Sequence, residues 1–356
     1  MQKYCKTGDK TMAMDDCDID VFGPRIEGGA ALLANRELAV ALRADGDEAE
    51  EENRALDCVE TVRAKPNEFW RFMLRMSLGA VMHPYEYAKI LMQLGFEPMP
   101  AVISTNWLGR TTLFLPSANH YLRYIRQIDG VPGLYRGLIA RVMGSTVYAA
   151  FSGSLVNLLG WRHLETQTHP FRNYLCNMLR DALILTTGLA ISHPFYVISV
   201  RQMAQFVGRE VIYSSLKGSV EEILQQAGPL GLYVGFVPRL LSDLGVLFCT
   251  STLSALCARF GLFNSRRREY NSVLIQFGAV MLFYPLQVVG ACMACSGSAV
   301  AAGAPPYMPV YGQWVDCLSD LVVRGDHYRG AFMFRRVLSK VQVQRSRDPF
   351  TVSRLM

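Results

Sequence analysis

The chain has 356 residues, of which 51% are hydrophobic and 19% are charged, and its formal net charge is +6. Soluble domains carry about 25% charged residues, and disordered chains combine low hydrophobicity with high net charge. The composition therefore excludes a disordered protein and disfavours a typical soluble enzyme. Nine cysteines are too few and too scattered for a disulfide scaffold.

Residues 1–65 differ in charge from the rest of the chain. They hold 9 Lys/Arg against 15 Asp/Glu, a net charge of −6, whereas the remainder holds 27 against 15, a net charge of +12. The acidic residues form blocks at 15–20 and 45–52. Such blocks repel themselves, so we predict a mostly disordered acidic tail over 1–65, unlike a transit peptide, which is rich in arginine and poor in acidic residues.

Five apolar stretches follow this tail, and each is long enough to cross the roughly 30 Å core of a bilayer as a helix. The predicted helices span about 69–96, 137–161, 175–206, 233–262 and 271–295. The last is the clearest, because residues 271–315 contain no charged side chain. Small residues that favour close helix contact in lipid occur at Gly144, Ser152, Gly188, Gly245, Ser254 and Gly278. The alternative is a soluble protein that encloses five apolar helices.

A pattern recurs three times along these helices. Each copy has a proline preceded by His or Tyr, and an aromatic-x-Gly element follows 41 to 53 residues later. The prolines are Pro84, Pro194 and Pro285, where we predict helix kinks, and the glycines are Gly137, Gly235 and Gly330. Amphipathic stretches at 214–227 and 311–323 lie between proline and glycine. The repeats, about 69–161, 175–262 and 271–336, each predict a membrane helix, a surface helix and a second membrane helix.

The first repeat resembles the signature of the mitochondrial carrier family. The matching residues are Pro84, Glu86, Lys89, Gln93, Asp129, Gly130, Tyr135, Arg136 and Gly137, while Leu91 departs from it. Carriers of this pattern are implied to close one end with a ring of three acid–base pairs. The second and third repeats hold Tyr196, Ser199, Gln287 and Gly290 at those positions. We therefore expect no such ring, which disfavours a solute antiporter.

The sixth helix of a carrier has no counterpart in the sequence. Five Lys/Arg lie between Arg335 and Arg347, and no apolar run of 17 residues follows Gly330. We predict that this helix is missing, or that a short basic segment lies on the membrane surface, with a basic tail over 337–356. A carrier-like domain over 66–336 would then be an all-α membrane bundle of three repeats, with a polar groove open sideways to lipid.

This loss is similar to that in a narrower family, the mitochondrial carrier homologs of the outer mitochondrial membrane. Local sequences support the resemblance at 95–98, 192–195, 205–210, 237–241 and 304–307. It implies a multi-pass outer-membrane protein that inserts α-helical and tail-anchored proteins. Phospholipid scrambling and the docking of apoptosis regulators are also implied, so the expected partners are client proteins, phospholipids and apoptosis regulators, without nucleic acid.

Ionisable residues inside membrane helices are rare and usually face an interior or a water-filled cavity. We predict a groove lined by Glu86, Lys89, Gln93, Arg141, His193, Arg201, Arg239 and Asp243. Spacings of three, four and seven residues place Glu86 with Lys89 and Gln93, and Arg239 with Asp243, on shared helix faces. Alternatively, Lys89 and Arg201 reach lipid headgroups, Arg141 and Arg239 pair with helix ends, or Asp243 pairs with Arg239.

An insertase performs no bond chemistry, so we expect no enzyme, cofactor or metal site. Cys292-x-x-Cys295 lacks a second half and is interpreted as two small residues at a helix end. Four functions stay open: a membrane insertase, a lipid scramblase with the same groove, a passive receptor or scaffold, and a degenerate solute carrier. The first is favoured, although insertase and scramblase differ only in cargo, and the sequence does not separate them.

Overall fold

The computed structural model describes residues 68–105, 109, 111–159, 170–259 and 268–338. The predicted acidic tail and the basic tail beyond residue 338 lie outside these ranges. The eight described α-helices are α1 (Glu68–Leu94), α2 (Ala118–Gly133), α3 (Leu138–Leu159), α4 (Pro170–Ala204), α5 (Leu216–Ala227), α6 (Phe236–Arg259), α7 (Arg268–Cys295) and α8 (Trp314–Arg324). Two 3₁₀ turns occupy Pro229–Tyr233 and Ala301–Gly303, and the strands are β1 (Val102–Thr105), β2 (Thr111–Leu115) and β3 (Arg336–Val337).

The five predicted membrane helices are confirmed as helices α1, α3, α4, α6 and α7. Three segments are long and apolar enough to cross a membrane: Phe171–Ala204, Pro229–Cys257 and Asn271–Cys295. Among the described residues, α1 and α3 do not reach that measure of length and hydropathy. Both contain ionisable side chains, and their membrane location stays a prediction from their place in the repeats.

The predicted order of elements recurs in the first two repeats, and in the third the described residues hold the first membrane helix and the surface helix. The surface helices expected near 214–227 and 311–323 are α5 and α8. Ser215 begins α5, because its Oγ accepts a hydrogen bond from the amide of Gly218 at 3.1 Å and satisfies an amide left open in the first turn. Gly325 ends α8 with a φ of 75°, a conformation that favours glycine.

Small residues bring neighbouring membrane helices together, as predicted, at several of the six positions. α3 packs along α4, and α6 packs along α7. A Cβ on Gly188 would lie 2.7 Å from the Tyr148 ring, and one on Gly245 would lie 2.5 Å from the Phe283 ring, so neither position has room for a side chain. The prediction is wrong for Gly278, which faces open space.

The three prolines lie inside continuous helices. Helix α1 continues through Pro84, α4 through Pro194 and α7 through Pro285. Proline removes a backbone hydrogen bond and frees a carbonyl one turn earlier. The predicted kinks stay predictions, while the location of each proline within the first membrane helix of its repeat is confirmed.

A small antiparallel sheet in the order β1-β2-β3 was not expected from the sequence. Phe114 pairs with Val337, and Leu115 pairs with Arg336. The stretches 102–105 and 111–115 are rich in β-branched residues and flank Gly109, which is the local signal for a hairpin. The sheet joins the loop of the first repeat to the end of the third.

The described residues after Gly330 end at residue 338 and contain no helix, and the loss of the sixth helix stays a prediction. This stretch, the C-terminal strap (331–338), contributes β3 instead of a surface helix. The amide of Ala118 donates to the carbonyl of Met333 at 2.8 Å, and the amide of Leu338 donates to Leu113 at 3.0 Å. The strap therefore returns to the first repeat.

Arg336 fixes the strap through a buried guanidinium. Its Nη1 donates to Glu97 Oε2 at 3.0 Å and to the Tyr121 hydroxyl at 3.2 Å, and its Nη2 forms an ion pair with Glu97. Tyr121 donates to Glu97 Oε2 at 2.6 Å. Burial, together with the Glu97 carboxylate, raises the pKa of Tyr121 well above its usual range, so the hydroxyl stays protonated as a donor.

Replacing Arg336 by leucine should lower the stability of the folded protein. Glu97 would lose its cation while its side chain is only 30% exposed, at a cost of about 2 kcal/mol once partial solvent screening is allowed for. We expect the midpoint of thermal unfolding in detergent to fall by about 3–5 °C.

The matched control is Lys217→Gln, because Lys217 is 90% exposed and its Nζ lies 3.9 Å from Glu221. Its midpoint should stay at the wild-type value, since exposed pairs contribute little. Equal midpoints for both variants would contradict a stabilising role for Arg336.

Candidate substrate groove

Each of the three repeats contains an equivalent internal contact, which we call a latch. In each, the residue before the proline contacts the carbonyl oxygen just before the repeat's glycine. The contacts are His83 Nε2 to Arg136 at 3.0 Å, His193 Nε2 to Val234 at 3.1 Å, and Tyr284 Oη to Arg329 at 3.1 Å. A carbonyl only accepts, so both imidazoles carry a proton on Nε2.

Each latch also includes an aromatic stack. The ring before the proline lies nearly parallel to the aromatic residue of the aromatic-x-Gly element. The stacked pairs are His83 and Tyr135 at 6.4 Å and 13°, His193 and Tyr233 at 6.1 Å and 21°, and Tyr284 and Tyr328 at 6.3 Å and 7°. The recurring His/Tyr before proline and the recurring aromatic therefore have one explanation, because they are the two sides of a latch.

The glycines of the aromatic-x-Gly elements pack one repeat against the next. Gly137, Gly235 and Gly330 have φ values of 83°, 77° and 82°. A Cβ there would lie 3.0 Å from the carbonyl oxygen of Ser199, 2.7 Å from that of Gly290 and 3.4 Å from that of Lys89, respectively. Each of these neighbours lies five residues after the proline of the following repeat, so the first repeat packs on the second, the second on the third, and the third on the first.

The apolar core lies at this end of the bundle, which we call the closed end. Leu91 of α1, Val197 of α4 and Val288 of α7 are completely buried, and Tyr121, Ile223 and Leu321 of the three surface helices belong to the same core. Water is excluded where the first membrane helices of the three repeats meet the surface helices.

Charged residues lie beside the closed end at equivalent positions in two repeats. Arg141 Nη2 of α3 contacts Glu86 Oε1 of α1 at 2.6 Å, with 31% and 34% of their side chains exposed. Arg239 of α6, at the position equivalent to Arg141, places its guanidinium carbon 3.8 Å from the centre of the Tyr196 ring. Tyr196 stands where the first repeat has Glu86, so a cation–π contact replaces the ion pair. These four residues define the candidate groove.

The expected absence of a ring of ion pairs follows from the same positions. Glu86 pairs with Arg141 inside its own repeat, and the acid positions of the other repeats hold Tyr196 and Gln287. The glycine contacts join the repeats at this end, and the latches hold each repeat together internally. Closure therefore depends on backbone packing instead of charge.

Three predicted groove residues are buried in the closed end, and we correct their placement. Arg201 is 2% exposed, and its Nε donates to the carbonyl of Ala294 at 3.0 Å. Gln93 is 3% exposed and donates to the Tyr284 hydroxyl at 3.1 Å, while His193 is a latch residue. Side chains bonded inside the packed core do not line an open groove, so all three stabilise the closed end.

The predicted place of Lys89 and Asp243 in the groove stays a prediction. Lys89 is half-buried, with its Nζ 5.6 Å from the centre of the Tyr284 ring. Asp243 is half-buried one turn after Arg239 on α6. Their roles stay predictions.

Arg180 and Asp181 are charged residues that the sequence reasoning missed. They lie inside α4, and Arg180 Nη2 is 3.3 Å from Asp181 Oδ1, with 6% and 15% of the two side chains exposed. Asn173 and Asn177 precede Arg180 by seven and three residues, which places polar groups on one face of the helix. The signal was the rarity of charge in an apolar helix, and it applied to this pair as much as to Arg201.

The cysteine pair of α7 behaves as packing. Cys292 and Cys295 are completely buried, and Arg329 Nη2 donates to Cys292 Sγ at 3.0 Å. Among the described residues, no group of three His, Cys, Asp or Glu side chains is placed to hold a metal ion.

Comparison with known proteins agrees with the repeats. No protein-family model matches the chain. Mitochondrial carrier homolog 1 of Mus musculus is 34% identical over 295 residues, which cover 75% of this chain and 76% of that protein. Mitochondrial carrier homolog 2 of Homo sapiens is 32% identical over 279 residues, which cover 74% of this chain and 92% of that protein. The chain belongs to the mitochondrial carrier homolog family.

A weaker likeness extends to carriers named for transport. ADP/ATP translocase 4 of Bos taurus is 24% identical over 191 residues, which cover 51% of this chain and 55% of that protein. This carrier homolog is thus a mitochondrial membrane protein built as a carrier-like bundle, as the first repeat predicted. Its second and third repeats lack the acids and bases that form the ring of ion pairs in carriers.

Replacing Tyr284 by phenylalanine should weaken the third latch. The hydroxyl accepts from Gln93 and donates to the carbonyl of Arg329, so its loss leaves two buried polar groups unsatisfied. At about 1 kcal/mol for each group, we expect the midpoint of thermal unfolding in detergent to fall by about 4 °C.

Tyr307→Phe is the matched control, because Tyr307 is 56% exposed. It loses the same atom at the surface and should unfold at the wild-type temperature. A midpoint for Tyr284→Phe equal to that of the control would show that the latch hydroxyl adds no stability.

Proposed function

We propose that this carrier homolog inserts α-helical and tail-anchored proteins into the outer mitochondrial membrane through the candidate groove. The proposal rests on three features of the bundle. The closed end is tightly packed, the first halves of α1 and α7 are exposed on one side, and polar side chains lie between these two regions. An insertase needs such a path, because the polar flank of a client must cross hydrocarbon that cannot hydrogen-bond it.

The lateral opening is the observation that carries the proposal. Among the described side chains of α1, none before His83 is buried, and between 271 and 282 of α7 only Ala279 is buried. In a six-helix carrier the sixth helix would cover these two helices, but the C-terminal strap turns into the sheet instead. The first halves of α1 and α7 therefore flank a side of the bundle that no described residue covers.

The polar residues supply what a client needs at that opening. Transfer of an unpaired amide or hydroxyl into an apolar medium costs about 2–7 kcal/mol. Glu86 of α1 and Arg141 of α3 are each about one-third exposed, and Arg239 rests on Tyr196 at the equivalent position of the second repeat. Side chains held by these contacts offer hydrogen bonds without first being reorganised, which lowers the barrier for a polar segment.

Phospholipid scrambling is the second candidate function. The same lateral opening faces lipid tails, and the cations of Arg141 and Arg239 offer partners for a phosphate headgroup. A phospholipid and a client helix both join a polar group to an apolar part, so one groove serves both cargoes in this proposal. Docking of apoptosis regulators stays a prediction from the family resemblance.

Reversing charge near the groove should slow insertion. We expect Lys89→Glu and Asp243→Lys each to reduce the rate at which a tail-anchored client enters proteoliposomes by about tenfold, which corresponds to about 1.4 kcal/mol of barrier. Insertion is read from protection of the client's tail against protease, in vesicles that hold equal amounts of folded protein.

Lys217→Glu is the control, because it reverses a charge on the exposed face of α5 and should insert clients at the wild-type rate. Unchanged insertion by both groove variants would refute the groove. Loss of fluorescent-lipid scrambling with insertion unchanged would assign the groove to lipids.

A further inference from the structure

We propose that the closed end stays shut throughout the working cycle, so that the candidate groove is reached only from the opposite membrane side and from lipid. This inference goes beyond insertion itself, because it states which side of the membrane supplies the client's polar segment. Its bearing on insertion rests on the proposed function, whereas the closure is a property of the fold.

The first reason is that the contacts at this end form a complete ring. Each latch stays within one repeat, and each glycine lies against the carbonyl of Ser199, Gly290 or Lys89 in the next repeat. Opening one boundary would expose backbone groups of the two repeats that meet there. Ser199 adds a side-chain bond at the first boundary, because its Oγ donates to the carbonyl of Gly137 at 3.1 Å.

The second reason concerns the gate positions, where a carrier holds the acids and bases of its ring of ion pairs. In two repeats, the residues at these positions cannot form ion pairs that break and re-form. An ion-pair gate opens because its charges regain hydration when they separate, so the open and closed states differ little in free energy. Here the positions five residues after the prolines hold Ser199 and Gly290 in two repeats, and their neighbours Val197, Val200, Val288 and Val289 are completely buried. Opening would expose this apolar surface at about 25 cal/mol for each Å².

The third reason is that the surface helices are fixed to the same core. Gln202 of α4 donates to Ser219 of α5 at 3.2 Å, and Arg201 Nη1 donates to the hydroxyl of Tyr213 at 3.5 Å. Gln205 binds the backbone of Tyr213 through both its amide atoms. In the second repeat, the surface helix therefore cannot move away from the membrane helix without breaking these hydrogen bonds.

Thiol accessibility tests the closure in the full-length protein. Three single substitutions in otherwise unchanged chains report three places: Glu86→Cys in the groove, Ser199→Cys in the closure, and Ser319→Cys on the exposed face of α8. The proteins are placed in liposomes, and a membrane-impermeant maleimide is added to one side. Peptide mass spectrometry then measures modification at each position, with and without a tail-anchored client.

We expect Ser319→Cys to react from one side of the membrane only. The fraction labelled by reagent outside the vesicles then gives the fraction of molecules in each orientation. Glu86→Cys should react from the opposite side only. Ser199→Cys should react at least about a hundredfold more slowly than Ser319→Cys from either side, because its modification requires local unfolding. The same pattern should hold while client is being inserted.

Reaction of Glu86→Cys or Ser199→Cys from the side that labels Ser319→Cys, in the presence or absence of client, would overturn the closure. Insertion by the unchanged protein is measured in parallel vesicles, so the two proposals fail separately. The expected labelling without insertion would refute the proposed function alone, and two-sided labelling with normal insertion would refute the closure alone.

Discussion

The close approach of each repeat's glycine to the next repeat is the constraint on which the structure depends. Gly235 lies so near Gly290 that a methyl group would meet a carbonyl oxygen at 2.7 Å, and equivalent approaches recur at the other two boundaries. The backbones meet directly, so the latches and the apolar core assemble around them. The packing does not need charge, which explains how two repeats hold a complete closure with no ion pair at the gate positions.

This constraint divides the molecule into two unlike halves. At the closed end, the first membrane helices meet and the surface helices cover them. Toward the other end, the first halves of α1 and α7 have few buried side chains, and their exposed leucines and valines suit contact with lipid. The ion pair of Glu86 with Arg141 and the stack of Arg239 on Tyr196 lie at the boundary, where a polar group gains most from a fixed partner.

Local sequence patterns predicted the parts of the fold that local patterns determine. Apolar runs gave the five long helices, and the spacing of proline and glycine gave the three repeats. The strap and its sheet were missed, because Arg336 and Glu97 are 239 residues apart and no periodicity links them. An ionisable residue in an apolar helix looks alike in sequence whether it pairs with a partly exposed acid, as Arg141 does, or binds a buried carbonyl, as Arg201 does. Only its tertiary partner separates the two cases.

The strap also imposes an order on how the chain is completed. Glu97 and Tyr121 are synthesised early, and their guanidinium partner arrives only with one of the last described residues. Contacts between such distant residues form late, because a long loop must close before they are made. Until Arg336 arrives, the first repeat holds a carboxylate without its cation. The pair of Arg336 with Glu97 therefore forms only after nearly all of the described chain has been made.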